Sequence, residues 1–304
     1  MSESQIIRIG RRKLDVSNLD KVMYPAAGFT KGEVIEYYAR VGEVLLPHLA
    51  KRPMTLKRYP SGVEGKFFYE KSCPSHKPEW VHTTDVQTQR RAIQFCVVDD
   101  LSTLVWLANI ASLELHPLLA RAPRLDRPTM LVFDLDPGEP ATLLDCLPVA
   151  IKIRVLFEGL DLHCFAKTSG GKGLHLAVPL NTTVTFEDTK AFARTVAQAL
   201  EQDDPKRVTS NMRKSDRQGK VFVDWSQNDT HKSTVSVYSL RARSRPTVST
   251  PVTWEEIEEA IEAGDASKLI FETNQVLERV DAYGDLWREV NTMKQKLPSL
   301  SLTG

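Results

Sequence analysis

The sequence predicts an α+β fold. Some segments place apolar residues at helical spacing, while others are short runs rich in Val, Phe, Thr and Tyr. The two kinds mix without the regular strand–helix–strand order of a doubly wound sheet. In chain order, Thr30-Lys31-Gly32-Glu33 reads as a capping box, with the Thr side chain and Glu33 able to bond each other's backbone. Val34, Ile35, Tyr38, Val41, Val44 and Leu45 follow at helical spacing, which predicts an amphipathic helix over 31–46. Strands are predicted at 65–70 and 92–98, and a largely buried helix at 102–115. Strands at 129–135, 162–168 and 174–178 come next, then a helix over 187–202 with Phe192, Val196 and Leu200 on one side. Strands at 220–225 and 234–239 precede a polar, Pro-containing connection at 243–253. An acidic helix, about 254–263, reads as the start of a tail strapped to the domain. The expectation is a single domain over 1–304, with its core at about 15–250 and an acidic helical extension at 251–304.

With 304 residues, 41% of them hydrophobic and 26% charged, the chain can bury a sizeable core; a disordered or fibrous protein is excluded. No stretch approaches 18 uncharged apolar residues, so no membrane partner is expected. The start has no apolar signal core, which predicts a cytoplasmic protein. Cys73, Cys96, Cys146 and Cys164 form no CxxC pair, so free buried thiols are expected rather than a zinc site or a disulfide. The net charge of +1 hides an asymmetry. Residues 1–60 carry 11 Lys/Arg against 6 Asp/Glu, residues 205–250 carry 10 against 3, and residues 251–304 carry 5 against 11. Two basic segments in a neutral total are compatible with a phosphate-rich partner, or with charge scattered over solvated faces.

Three segments could carry chemistry. In Met130-Leu-Val-Phe-Asp134-Leu-Asp136-Pro-Gly138 an apolar strand runs into two aspartates one residue apart. Side chains alternate on a strand, so both acids share a face. Carboxylates that close repel, and Mg²⁺ or Mn²⁺ would relieve the repulsion. The plainer alternative is a strand-end turn. Lys220-Val-Phe-Val-Asp224-Trp225 is a second apolar strand ending in a carboxylate. Three aspartates from two strands could bridge two ions about 3.5–4 Å apart, as in phosphoryl or nucleotidyl transfer. Thr168-Ser169-Gly170-Gly171-Lys172-Gly173-Leu174-His175 lies between two apolar strands. Its glycines let backbone approach a bulky anion, and Lys172, Ser169 and His175 offer charge and donors. It does not have the P-loop spacing and could be a plain hairpin turn.

Together, in this order, these segments resemble the polymerase domain of the bacterial ligase D family, in the archaeo-eukaryotic primase superfamily. Ser17-Asn18-Leu19-Asp20-Lys21, Lys57-Arg58-Tyr59-Pro60, Phe67-Phe68-Tyr69-Glu70-Lys71, Leu113-Glu114-Leu115-His116 and Tyr238-Ser239-Leu240-Arg241 support the resemblance, which covers roughly 15–250. It implies a primase-type catalytic core of mixed and antiparallel sheets flanked by helices, with an N-terminal subregion that binds DNA ends. The implied activity is template-dependent nucleotide addition at DNA ends and short gaps during non-homologous end joining. Two Mn²⁺ or Mg²⁺ ions serve as cofactors, and ribonucleotides are often preferred. Asp134, Asp136 and Asp224 match the family's metal ligands and catalytic acids. Ser169, Lys172, His175 and Arg241 match triphosphate contacts, and Lys57 and His116 line the same pocket. Lys21 and Lys31, with Asn18 beside them, match the residues that recognise a 5′-phosphate across a gap. Phe67 and Phe68 match aromatics that stack on bases, although a strand pair is expected to place one of the rings in the core. Arg217 matches a loop residue that arranges the template end; a loop without anchors would otherwise simply be mobile.

The resemblance also implies partners: DNA with gaps or recessed 5′-phosphorylated ends, nucleoside triphosphates, the end-binding protein Ku and a separate DNA ligase. Use at the nucleoid of a prokaryotic cell follows from the same reading. Ligase D proteins usually carry ligase modules, but no nucleotidyl-lysine ligase motif occurs in these 304 residues. The expectation is therefore a stand-alone polymerase or an excised domain. Two alternatives stand beside this reading. One is a phosphohydrolase of the haloacid dehalogenase kind, with Asp134 as nucleophile and Asp136 as acid/base, although Pro-Gly follows here where that family has Gly-Thr or Thr. The other is a non-catalytic nucleic-acid-binding module, in which three converging carboxylates would repel phosphate.

Overall fold

The computed structural model describes residues 4–88 and 91–298. It is an α+β fold of mostly antiparallel sheets with seven α-helices among the described residues. The chain begins with β1 (Ser4–Ile9), β2 (Arg12–Ser17), β3 (Val22–Tyr24), β4 (Phe29–Thr30), α1 (Lys31–Leu49), β5 (Pro53–Arg58), β6 (Phe68–Glu70), β7 (Thr83–Gln87) and β8 (Ala92–Val97). It continues with α2 (Leu101–Asn109), β9 (Ser112–Pro117), β10 (Ala120–Arg121), β11 (Arg124–Pro128), β12 (Met130–Pro137), α3 (Leu143–Glu158), β13 (Phe165–Thr168), β14 (Leu174–Pro179) and α4 (Phe186–Asp203). Last come β15 (Val208–Thr209), β16 (Val221–Asp224), β17 (Pro251–Val252), α5 (Trp254–Ala263), α6 (Thr273–Tyr283) and α7 (Arg288–Thr292).

The elements form two compact units, interleaved along the chain. The first runs to Pro123 and adds Ser233–Ser249 and Phe271–Asp285. The second comprises Arg124–Lys232, Thr250–Ile270 and the described residues from Leu286 on. The acidic tail is therefore shared: β17, α5 and α7 belong to the second unit and α6 to the first.

In the first unit a sheet runs β6-β5-β8-β7, and β9 pairs with the other edge of β5. Helix α1 starts at the predicted capping box, with Thr30 Oγ1 accepting from the Glu33 N–H and Glu33 accepting from the Thr30 N–H. Its apolar stripe of Val34, Tyr38, Val41 and Leu45 is buried, and the Tyr38 hydroxyl donates to the Leu113 carbonyl at 2.6 Å. The predicted helix over 102–115 ends early. Ala111 sits at φ 60°, and Ser112–Pro117 is strand β9 instead. The left-handed residue breaks the helix and turns Leu113 and Leu115 into the core of the sheet.

No strand forms over 234–239. Tyr238 adopts φ 61°, its N–H donates to the Ser249 carbonyl, and Ser236 donates to Leu115. Cys73 and Cys96 are joined in a disulfide, contrary to the expectation of four free thiols. The Cys73 N–H donates to the Gln94 carbonyl, which holds that segment beside β8 and brings the two Cα atoms to 4.9 Å. Cys146 and Cys164 are free and buried.

The second unit is built on a six-stranded sheet in the order β15-β16-β12-β14-β13-β17, antiparallel except for β15 with β16. Phe133 of β12 packs against Phe157 of α3, which stacks on Phe192 of α4. The helices therefore cover the face carrying Phe133 and Leu135, and the alternate residues Asp134 and Asp136 take the other face. Helix α3, with Pro148 inside it, was not apparent in the sequence. No helix among the described residues is long and apolar enough to cross a membrane.

Candidate active site and DNA-contacting clusters

In the second unit four chemical groups stand in one row across the sheet. Asp134 pairs in register with Asp224 of β16 on one side and with His175 of β14 on the other, and His175 pairs with Lys167 of β13. Asp136 lies two residues along the same face of β12. The structure thus brings together the three predicted acids, and their order follows from register alone. Asp224 is buried. Its Oδ1 accepts from the Ser226 N–H and hydroxyl, and its Oδ2 accepts from Gln227. His175 Nε2 lies 3.1 Å from Asp134 Oδ1, and its Nδ1 lies 3.0 Å from Lys167 Nζ. Beneath the strand, burial and then the charges of Asp136 and Asp134 push the Cys146 thiol well up, so it stays protonated.

Ser169–Gly173 is a hairpin loop closing β13 onto β14. Ser169 Oγ accepts from the N–H groups of Gly171 and Gly173, so this buried hydroxyl shapes the loop. A Cβ on Gly173 would stand 2.2 Å from the Leu135 carbonyl oxygen, between the two acids of β12. Lys172 is exposed and paired with Glu139. Arg217 lies in a short 3₁₀ turn rather than a mobile loop. Its guanidinium stands over the Phe222 ring at 3.6 Å, and it donates to the Met212 carbonyl. Gly138 allows this: a Cβ there would meet the Arg217 carbonyl oxygen at 1.9 Å.

In the first unit Lys57, His116 and Arg241 converge on a carboxylate that the sequence did not single out. Glu114 Oε1 accepts from Lys57 Nζ at 3.2 Å and from the Ala242 N–H, and His116 and Arg241 approach Oε2 at 2.9 and 3.3 Å. Burial pushes this carboxyl up, but His116, Arg241 and Lys57 outweigh it and hold Glu114 well below the usual range. His116 is shifted down, first by burial. The Lys57 ammonium also faces the rings of Phe67, Tyr59 and Tyr69 at 4.6, 5.3 and 5.5 Å. Neither Phe67 nor Phe68 is a core residue; they are 51% and 43% exposed. They take opposite sides of the edge strand, Phe67 toward Lys57 and Phe68 under Arg58. A three-residue edge strand has too little cover to bury either ring.

Asn18 adopts φ 56°, and its carbonyl accepts from the Lys21 N–H in a tight turn. Lys21 Nζ donates to the Pro60 carbonyl and Lys31 Nζ to the Ser17 carbonyl, both at 2.6 Å. Burial, then the charge of Lys21, lowers Lys31 from 10.5 to about 8. The start of α1 does not offer its N–H groups to an anion. Those of Lys31, Gly32 and Glu33 already donate to Lys21, Leu19 and Thr30.

Lys167 and Glu114 are the residues that sequence reasoning missed. The closing pair Thr168–Leu174 sets Lys167 opposite His175, a placement readable only once the hairpin register is known.

The profile of the family described as LigD, primase-polymerase domain, matches residues 30–287. The multifunctional non-homologous end joining protein LigD of Mycolicibacterium smegmatis is 43% identical over 276 residues, 90% of this chain and 35% of that protein. The bifunctional LigD of Bacillus subtilis is 29% identical over 92% of this chain and 45% of its own length. The chain thus spans between about a third and just under half the length of these curated relatives. A solved structure, the polymerase domain of Mycobacterium tuberculosis ligase D in complex with DNA, superposes with a TM-score of 0.86 at 40% identity, covering 93% of this chain and 99% of that one. These matches set aside the dehalogenase-type hydrolase and the non-catalytic module. On its sequence, its fold and the order of its motifs, the chain belongs to the LigD primase-polymerase domain family.

Proposed function

We propose that the chain is a template-dependent nucleotidyltransferase that extends DNA ends and fills short gaps in non-homologous end joining. The observation that carries this reading is the register of Asp134 against Asp224, with Asp136 on the same face. Among the described residues no three His, Cys, Asp or Glu side chains stand ready-made around an ion. The donor set nevertheless fits Mn²⁺ or Mg²⁺: three carboxylates on adjacent strands are hard oxygen ligands whose mutual repulsion a cation relieves. Asp224 would turn from Ser226 and Gln227 to take part. Two such ions, when bound, lower the pKa of the attacking 3′-hydroxyl and neutralise the triphosphate.

The chain's own residues bind and orient. Lys172 exchanges Glu139 for a phosphate, Ser169 keeps the loop open to it, and His175 presents a ring nitrogen beside Asp134. Lys57, His116 and Arg241 contribute donors to the nucleotide, aligned on Glu114. Asn18, Lys21 and Lys31 hold the 5′-phosphate, Phe67 and Phe68 stack on bases, and Arg217 arranges the template end. DNA, nucleoside triphosphates with ribonucleotides preferred, Ku and a ligase are the proposed partners, in the nucleoid of a prokaryotic cell. The test is extension of a gapped, 5′-phosphorylated duplex with labelled ATP or dATP and Mn²⁺. Templated addition is expected, faster with ATP; phosphate release alone, or binding without extension, overturns the reading.

Lys172→Ala is expected to raise KM for the nucleotide about fivefold with DNA affinity unchanged, because one exposed charge facing phosphate contributes on the order of 1 kcal/mol. Equal loss of both would assign the loop to DNA instead.

The 5′-phosphate preference should depend on pH. A bound phosphate favours the charged form of Lys31, whose pKa is about 8 when free. Binding therefore takes up a proton above that pH. Once the phosphate's own second ionisation, at about pH 6, is complete, preference for a phosphorylated over a hydroxyl end should fall as pH rises through about 8. In a Lys21→Ala/Lys31→Ala double mutant the preference should be small at every pH. Titrations of the two ends between about pH 7.5 and 9 measure this, and a preference that rises with pH over that range would remove Lys31 from the site.

A further inference from the structure

Lys167 has no part in the reading above, yet it is among the most enclosed charged residues of the second unit, 4% exposed. It ends the cross-strand row Asp224–Asp134–His175–Lys167. An ammonium group has three donors and no acceptor. The ring nitrogen 3.0 Å from Lys167 Nζ, Nδ1 of His175, must therefore be the unprotonated one. An imidazolium would set an N–H⁺ against the ammonium. The remaining ring proton then sits on Nε2, 3.1 Å from Asp134 Oδ1. Both side chains are buried, so little solvent competes for either nitrogen.

We propose that Lys167 is a positioning residue that fixes His175 in its Nε2–H tautomer, with the protonated nitrogen on the side of the acidic end of the row. The proposal rests on the polymerase reading only for its effect on rate; the tautomer itself is a property of the free protein. Lys167 sets which atom of His175 is a donor, and His175 then presents a fixed N–H to the carboxylate or to a phosphate oxygen arriving beside it. A one-proton displacement at this point would turn a donor into an acceptor facing negative charge.

The test uses the whole chain, metal-free, with ¹⁵N-labelled histidine; the His175 signals are identified by their loss in His175→Gln. The wild type is expected to show a protonated Nε2 and an unprotonated Nδ1. Lys167→Met keeps the volume without the donor and should show a tautomer mixture, with kcat about tenfold lower and KM for DNA unchanged. Lys167→Gln restores an N–H donor without charge and should return both the tautomer and most of the rate. A merely structural role would lower the melting temperature of both variants and leave the tautomer alone. A wild-type Nδ1–H or doubly protonated ring, or a wild-type tautomer in Lys167→Met, overturns the proposal. If Lys167→Met does not fold, Lys167→Leu, which also removes the donor, is read in the same way, and a wild-type tautomer in it overturns the proposal. Should the chain add no nucleotide at all, the spectra still judge the proposal while the polymerase reading fails separately.

Discussion

Asp134→Ala is expected to reduce nucleotide addition by at least about a thousandfold while leaving the chain folded. Asp134 is the one acid with chemical neighbours on both sides, Asp224 and His175. Its loss would remove one of the three proposed metal ligands and the carboxylate that lies 3.1 Å from His175 Nε2. Metal stabilisation of transition-state charge is worth several kcal/mol, and each 1.36 kcal/mol is tenfold in rate, roughly three decades or more in all. Stability should hold, because removing one of three neighbouring carboxylates relieves repulsion. Single-turnover extension of the gapped duplex measures the rate, and a melting curve checks the fold. Mn²⁺ titration by electron paramagnetic resonance should show weakened binding. Extension within tenfold of wild type would sink the proposed metal site.

Gly173→Ala is expected to destabilise the second unit strongly. The added Cβ would lie 2.2 Å from the Leu135 carbonyl oxygen and 3.2 Å from its carbon, and backbone cannot rotate away as a side-chain tip can. Overpacking costs 1–3 kcal/mol, and a clash with backbone belongs at the upper end, about 3 kcal/mol. That corresponds to a fall of roughly 6–12 °C in the unfolding of the affected unit. The strand that must yield is the one carrying Asp134 and Asp136, so nucleotide addition should fall as well. Gly264→Ala is the control. It has φ +63° but nothing within 4 Å, and should cost only about 1 kcal/mol of backbone strain. Equal melting shifts for the two variants would mean that the close approach at Gly173 is not what fixes the residue.

The parts of the fold governed by local rules were legible in the sequence. Thr30 and Glu33 specify the start of α1 within four residues, and the alternation of β12 places Asp134 and Asp136 on one face before any partner strand is known. The pairing of Asp134 with Asp224, and of His175 with Lys167, depends on strand order and register, which one chain segment cannot encode alone. Helix α3 was hidden because its apolar residues run almost all round and Pro148 interrupts the pattern. The first N–H groups of α1 are taken by the carbonyls of Lys21 and Leu19, which lie before the helix and reach it only through the turn at Asn18, so no local rule signals it. The Cys73–Cys96 bond likewise needs a fold to bring residues 23 apart in sequence together. Roles for Lys57, His116 and Arg241 came from family resemblance; the sequence offered no sign that Glu114 would gather them.

Strand β12 has hydrogen-bonded neighbours on both sides, whereas β6, which begins at Phe68, is the edge of its sheet. Amide protons on the two strands should therefore keep different time. Those around Asp134 are sealed by two ladders and exchange with solvent only when the whole sheet opens, while those at Phe68 exchange through brief local fraying. Deuterium would enter the aromatic strip long before the acidic row. The acids proposed to hold the metal ions thus ride on a slowly exchanging part of their unit, and the rings proposed to meet variable DNA ends on a faster part of theirs.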